Sequence, residues 1–300
     1  MPQRFAICSG NPWSGETGMS EADIKQQVKD FYNQVGWQQV SQGTYQNASY
    51  EDLRPVAQEY IHRCHLRIAR HLAQSGYLFL DAGSGPIQYP EYLEYSLGYQ
   101  HRVCLDISAV ALEEARQRIG DHGFFVVGDI ANLPFKQDAF DGLISLHAIH
   151  HLPAGEHQQA YLELQRVLAP GKSGVIVNGW DLPPLTMLQN FLIRLVEILP
   201  HKASAGGVTG SAIAIRHMPD RGTFVRKHTA SWLNKEVGAH MPVEIWCWRS
   251  VSVRFLRTFV HARLGGRGWL RLLFWLEERF PHFFGRNGQY PLIVIHKRLS

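Results

Sequence analysis

The sequence predicts an α/β fold in which a mostly parallel sheet carries helices on both faces. Three observations predict it. Between residues 77 and 178 five short apolar runs alternate with helical segments, and such alternation builds βαβ units. Two glycines one residue apart, Gly83 and Gly85, follow the first run, where a buried strand turns sharply and the backbone must pass close to a ligand. Acids stand at the ends of the first three runs: Asp81, Asp106 and Asp129. The chain has 300 residues, 45% of them apolar and 19% charged, enough for a sizeable core and against global disorder. No run approaches the ~18 apolar residues of a membrane span. The first 13 residues lack a basic flank followed by an apolar stretch, so no signal peptide is expected. Four scattered cysteines form neither a disulfide framework nor a zinc pattern and fit a cytoplasmic location.

In chain order, residues 1–19 read as an arm. Ser20 with Asp23 starts a helix over 21–35, with Val28, Phe31, Tyr32 and Val35 on one face. Residues 38–49 read as loop and 56–74 as a second helix. Strands follow at 77–81, 102–106, 124–128, 142–146 and 174–178, with helices at 88–97, 109–119 and 156–168. The alternation then breaks. Residues 183–226 read as an insertion with a helix at 185–199. A helix at 229–237, a strand at 243–253, a second insertion at 254–288 and a closing strand at 290–297 complete the chain.

The acids carry the chemistry. Asp81 precedes the glycine pair, and a carboxylate there suits a cationic amino-acid group. A dinucleotide fingerprint would want a third glycine where Gln88 stands, which disfavours a nicotinamide cofactor. Asp106 can accept both hydroxyls of a ribose, while Ser108 is better placed to cap the next helix. Asp129 can accept from an adenine amino group, with Ile130 against the ring. His147, His150 and His151 have metal-like spacing, but Ala148 stands where a zinc-protease helix has its acid, so no metal is expected.

These motifs resemble the class I S-adenosylmethionine-dependent methyltransferases, closest in texture to the ubiquinone/menaquinone-biosynthesis and small-molecule group. Asp81, Gly83 and Gly85 match the first motif, Asp106 and Asp129 the next two acids, residues 140–152 the fourth motif, and residues 168–177 the turn into strand five. The resemblance covers about residues 60–180. It implies a Rossmann-like seven-stranded sheet with an antiparallel last strand, here 290–297, and an N-terminal helix, here 21–35, closing over the cofactor. The domains implied are an arm and lid helix (1–55), a cofactor-binding core (56–182), a substrate cap (183–228) and a C-terminal completion of the sheet (229–300). S-adenosylmethionine is the implied cofactor, held by Asp81, Gly83, Ser84, Gly85, Asp106, Ile107, Asp129, Ile130, Leu146 and His147. His150, His151 and Asp181 are the implied bases for a hydroxyl acceptor. Pro86-Ile87 and the two insertions depart from the family pattern.

Charge is uneven. Residues 201–300 hold 16 lysines and arginines against 5 acids, and residues 1–200 hold 14 against 21. The helical pattern at 268–280 is apolar nearly all round, so it is buried, dimeric or interfacial. A lid over the acceptor pocket is the first reading, a membrane contact for a lipophilic acceptor the second, and RNA the third. Ser145-Leu146-His147-Ala148 stands where amino-group methylases of nucleic acids carry an Asn/Asp-Pro-Pro-aromatic run. The activity expected is methyl transfer to a small hydrophobic molecule, with oxygen favoured. The alternatives are an RNA methyltransferase or a catalytically silent binding protein. Oligomeric state is left open.

Overall fold

The computed structural model describes residues 19–37, 39–41, 44–45, 51–198 and 223–299. Almost all of the expected arm, and the middle of the expected substrate cap, lie outside the described residues. Helix α1 (Glu21–Phe31) starts as the sequence predicts. Ser20 Oγ accepts from the Asp23 N–H at 3.2 Å, and the Asp23 carboxylate accepts from the Ser20 N–H at 3.2 Å. One wide turn, Tyr32–Gly36, extends it. Within the expected loop, Gln39–Ser41 pairs with Thr44–Tyr45. Helix α2 (Gln58–Leu66) is shorter than predicted and ends in the 3-10 turn Ile68–His71.

The five expected strands form as β1 (Gly76–Ala82), β2 (Tyr99–Asp106), β3 (Gly123–Val127), β4 (Gly142–Leu146) and β5 (Ser173–Val177). Helix α3 (Ala109–Ile119) is capped by Ser108, and α4 (His157–Val167) precedes β5. The helix predicted at 88–97 shrinks to the single turn Glu91–Glu94. Pro86 and Pro90 cannot donate backbone hydrogen bonds, and Ile87 sits in the left-handed region at φ +54°. After α5 (Pro184–Ile198) and the short helical segment Ala230–Val237, the chain adds β6 (Val243–Arg249), α6 (Val253–Phe259), α7 (Gly266–Arg279), α8 (Pro281–Asn287) and β7 (Tyr290–His296). The predicted strand 243–253 stops at Arg249 because Ser252 caps α6, its Oγ accepting from the Phe255 N–H at 3.1 Å.

The sheet order is β3-β2-β1-β4-β5-β7-β6, and β7 runs antiparallel to both neighbours. Strand order reverses beside β1, which pairs in parallel with β2 and β4. The carboxyl ends of those strands therefore open one crevice. Alternation along the strands fills both faces. Leu80, Leu105, Leu143 and Ile176 pack against Ala160, Leu164 and Val167 of α4. Phe79, Ile144, Val175 and Val177 pack with Ile68, Tyr95 and Trp248 on the opposite face.

The C-terminal helices differ from the lid reading. Leu270 and Phe274 of α7 pack with Tyr60, Ile61 and Cys64 of α2, and no residue of α7 lines the crevice. Its other face leaves Trp269 66% and Trp275 59% exposed, with Leu272 beside them. Helix α5 is reversed relative to an ordinary surface helix. It buries Thr186, Gln189 and Ile193, and it exposes Met187, Leu188, Phe191, Leu192, Leu195 and Ile198 along one stripe. No described helix is long and apolar enough to cross a membrane.

Candidate active site

A cavity of about 400 Å³ opens at the carboxyl ends of the strands. One end is built by the turns after β1, β2 and β3. Gly83 takes φ +78°, and the N–H groups of Gly83 and Ser84 both donate to the Leu105 carbonyl, at 2.7 and 3.1 Å. A Cβ on Gly83 would stand 2.3 Å from the Ala148 Cβ, and one on Gly85 2.9 Å from the Trp37 ring. Only glycine gives the backbone this approach. Asp106 Oδ2 accepts from the Gly85 N–H at 2.9 Å, and Oδ1 accepts from the Ser108 N–H at 2.8 Å. Burial pushes its pKa up to about 6, against these backbone donors, which favour the charged form.

The other two acids already have partners. Asp81 is buried, and its Oδ2 is taken by the guanidinium of Arg102 from β2. Asp129 Oδ1 accepts from the Ala131 N–H at 2.9 Å, and Oδ2 pairs with Lys25 Nζ at 2.6 Å. Lys25 also reaches Glu156 at 2.6 Å, so one ammonium pins α1 across the strand ends.

The other end of the cavity is built by residues distant in sequence. Past β4 the chain turns through His147 at φ +56°, whose N–H donates to the Val177 carbonyl at 2.7 Å. The His147 ring meets Trp248 and Tyr290 edge-on, with centroids 5.0 and 5.6 Å away. Burial, with the charge of Arg249, pushes its pKa down to about 3. His150 Nδ1 donates to Asn178 Oδ1 at 3.2 Å, and Asn178 Nδ2 reaches the Tyr161 hydroxyl at 3.5 Å. This tautomer leaves the His150 Nε2 lone pair for the cavity that the ring lines. Burial holds the His150 pKa well below the usual histidine value. His151 is tied at both nitrogens: Nδ1 donates to the Phe224 carbonyl at 2.8 Å, and Nε2 accepts from the Tyr32 hydroxyl at 2.8 Å.

Residues 223–228 run extended beside these rings. The Arg226 N–H donates to the His150 carbonyl at 2.8 Å, and His228 bridges to Trp180. Alternation then turns Thr223, Val225 and Lys227 into the cavity. Glu51 and Arg249 form a buried ion pair in the cavity wall, with the Arg249 guanidinium 4.8 Å from the Tyr290 ring centroid.

A family model described as a methyltransferase domain matches residues 80–176. The chain carries a class I S-adenosylmethionine-dependent methyltransferase domain. A probable phthiotriol/phenolphthiotriol dimycocerosates methyltransferase 2 of Mycobacterium ulcerans is 30% identical over 136 residues, which are 42% of this chain and 52% of that protein. A probable tRNA methyltransferase 9B of Mus musculus is 32% identical over 125 residues, 41% of this chain and 26% of that protein. The chain thus spans about half the length of the first relative and a quarter of the second. Among solved structures, the geranyl diphosphate C-methyltransferase of Streptomyces coelicolor A3(2) shares the fold. It matches at TM-score 0.50 and 14% identity, over 91% of this chain and 98% of that one.

S-adenosylmethionine is the cofactor of the methyltransferase domain. The glycine turn fits it, since a Cβ at either position would close the cradle. The methyltransferase domain brings Asp81, Gly83, Ser84, Gly85, Asp106, Ile107, Asp129, Ile130, Leu146, His147, His150 and His151 to one cavity. Asp181 is not brought there. It is exposed, because the Trp180–His228 bridge and Leu182 at φ +41° turn the chain outward. The three histidines share no helix face: β4 ends at Leu146, and Ile149–His151 is a 3-10 turn.

Sequence reasoning missed Lys25, Glu51, Arg102, Lys227 and Arg249. Arg102 and Arg249 had a readable signal, since each is an arginine inside or closing an apolar strand, where a charge needs a buried partner. Lys25, Glu51 and Lys227 had none, because helix, loop and insertion lysines and glutamates are ordinarily solvated.

Proposed function

We propose that this chain transfers the methyl group of S-adenosylmethionine to an oxygen of a small lipophilic molecule, which it meets at an anionic lipid surface. The observation that carries the chemistry is His150, whose Nε2 lone pair is free toward the cavity while its Nδ1 is fixed by Asn178. S-adenosylmethionine, when bound, supplies an activated methyl on a sulfonium. In this reading Asp106 accepts from the ribose hydroxyls, Asp129 with Ile130 holds the adenine, and the loop 83–85 passes under the amino-acid end. His150 Nε2 takes the proton of the acceptor hydroxyl. His151 is a positioning residue that ties Tyr32 of the N-terminal lid to Phe224. Alignment of the acceptor and exclusion of water supply much of the remaining barrier reduction.

The surface of the C-terminal half supports a lipid encounter. Each large apolar side chain gains about 1.5–3 kcal/mol on full burial, and α5 presents six of them as one stripe. The exposed face of α7 with Trp269, Leu272 and Trp275 lies in the strongly basic part of the chain, a composition that suits an anionic headgroup layer. The test has two arms. Purified protein with methyl-labelled cofactor should label an oxygen of a solvent-extractable molecule from its own cell extract. It should also float with phosphatidylglycerol vesicles and not with phosphatidylcholine, and Phe191→Glu with Trp275→Glu should abolish flotation. Label found in RNA instead would establish the competing acceptor.

A further inference from the structure

Three described cations line the cavity, and they are not equivalent. Lys25 contacts two carboxylates at 2.6 Å, and Arg249 contacts Glu51. Lys227 has no ion pair or hydrogen bond within the described residues. Its Nζ stands 3.3 Å from where a Gly179 Cβ would be, so the side chain lies across the end of β5 beside His150 and His151. The charged and titratable groups facing it are those two rings, which are neutral, and Asp181, which is exposed and acts at longer range.

Other donors at this end also lack partners. Among the described residues, Thr223 Oγ is buried without a hydrogen-bond partner, and so is Arg249 Nε. Thr223 and Lys227 come from one extended segment whose alternate side chains enter the cavity. A cavity end whose unsatisfied groups are an ammonium, a hydroxyl and a guanidinium N–H wants a ligand rich in acceptor oxygens.

We propose that the acceptor binds through an anionic oxygen, that of a carboxylic acid, phenol or enol, paired with Lys227. This rests on the methyltransferase reading and narrows its acceptor to an acidic hydroxyl. A carboxylic acid enters already ionised, a phenol or enol that enters protonated passes its proton to His150 Nε2, and in each case the oxyanion stays against the ammonium. Its lone pair then forms the oxygen–carbon bond as the carbon–sulfur bond breaks, with that bonding pair leaving on sulfur. His150 is a weak base in this setting, since burial and the neighbouring cation both disfavour its charged form. A weak base matches an acidic donor and would be a poor partner for an aliphatic alcohol.

The test uses 4-nitrophenol, whose phenolate is yellow and whose phenol is not. It is titrated into the full chain loaded with S-adenosylhomocysteine, in the wild type, Lys227→Met and Lys227→Arg. The wild type should hold the probe as phenolate and shift its ionisation to lower pH. Lys227→Arg should keep the shift. Lys227→Met should lose it and bind the phenolate on the order of tenfold or more weakly, with S-adenosylhomocysteine affinity unchanged. An unshifted probe in the wild type, or an equal shift in Lys227→Met, overturns the proposal. Failure of S-adenosylhomocysteine itself to bind the wild type would instead overturn the methyltransferase reading.

Discussion

The two ends of the cavity are built on opposite plans. The end that holds Asp81, Asp106 and Asp129 comes from three successive turns of one sheet edge, and each carboxylate is held before any ligand arrives: by Arg102, by Gly85 and Ser108, and by Lys25 and Ala131. The end around His150 draws on Glu51, the β4 turn, residues 223–227 and Arg249, and among the described residues it leaves Thr223 Oγ and Arg249 Nε unpartnered. In the proposed reading the first end takes the cofactor, and fixed dipoles serve it without rearrangement. A site whose donors lack partners is completed by what enters it.

The contrast breaks first at the histidines. His150→Ala should lower the methyl-transfer rate about 10²–10⁴-fold with cofactor affinity intact. His151→Ala should act less on the rate and more on the tether to Tyr32, seen as faster hydrogen exchange across Glu21–Gly36. Equal rate losses would mean that the two rings do one job.

The cavity wall comes next. Glu51→Gln leaves Arg249 buried without its counter-charge and should cost about 3–5 kcal/mol in denaturant unfolding. The Arg249 charge holds the Glu51 pKa at about 2 despite burial, below its ordinary 4.5. The unfolded chain therefore binds this proton more readily, and the pair's stabilisation is present above pH 4.5 and lost as pH falls toward 2. Glu51→Gln should flatten that acid limb of the unfolding curve.

Asp106→Ala should weaken S-adenosylhomocysteine binding about 10²-fold by calorimetry, since two hydrogen bonds to a charged acceptor are lost. An unchanged dissociation constant would remove Asp106 from the cofactor end.

The smallest effect is the pH profile of the same residue. Burial raises the Asp106 pKa from 3.8 to about 6, and a protonated carboxyl cannot accept from both ribose hydroxyls. Cofactor affinity should be flat above pH 6 and fall by up to about tenfold per unit below it. Asp106→Asn should remove the slope. In the ligand-free protein the sign reverses: the native state binds this proton more tightly, so this residue makes the fold less stable as pH rises from 3.8 to about 6.

The five parallel strands, the capped start of α1 and the glycine turn were legible because each depends on residues close in sequence. Local periodicity also misled in two places. The segment 88–97 has helical composition, but Pro90, with Pro86 and the strained Ile87 just before the segment, leaves one turn. The all-round apolar pattern of α7 suggested a lid, but its buried face meets α2 and its other face meets solvent.

The sequence by itself determined the sheet, its crevice and the class of cofactor, because strand alternation, glycine freedom and acids at strand ends are all short-range properties. Only the tertiary structure decided which histidine keeps a free lone pair, which acids are already neutralised and which cavity lysine has no carboxylate partner among the described residues. Those are properties of pairs, and the partners lie far apart along the chain, as Lys25 and Asp129, or His151 and Phe224, show.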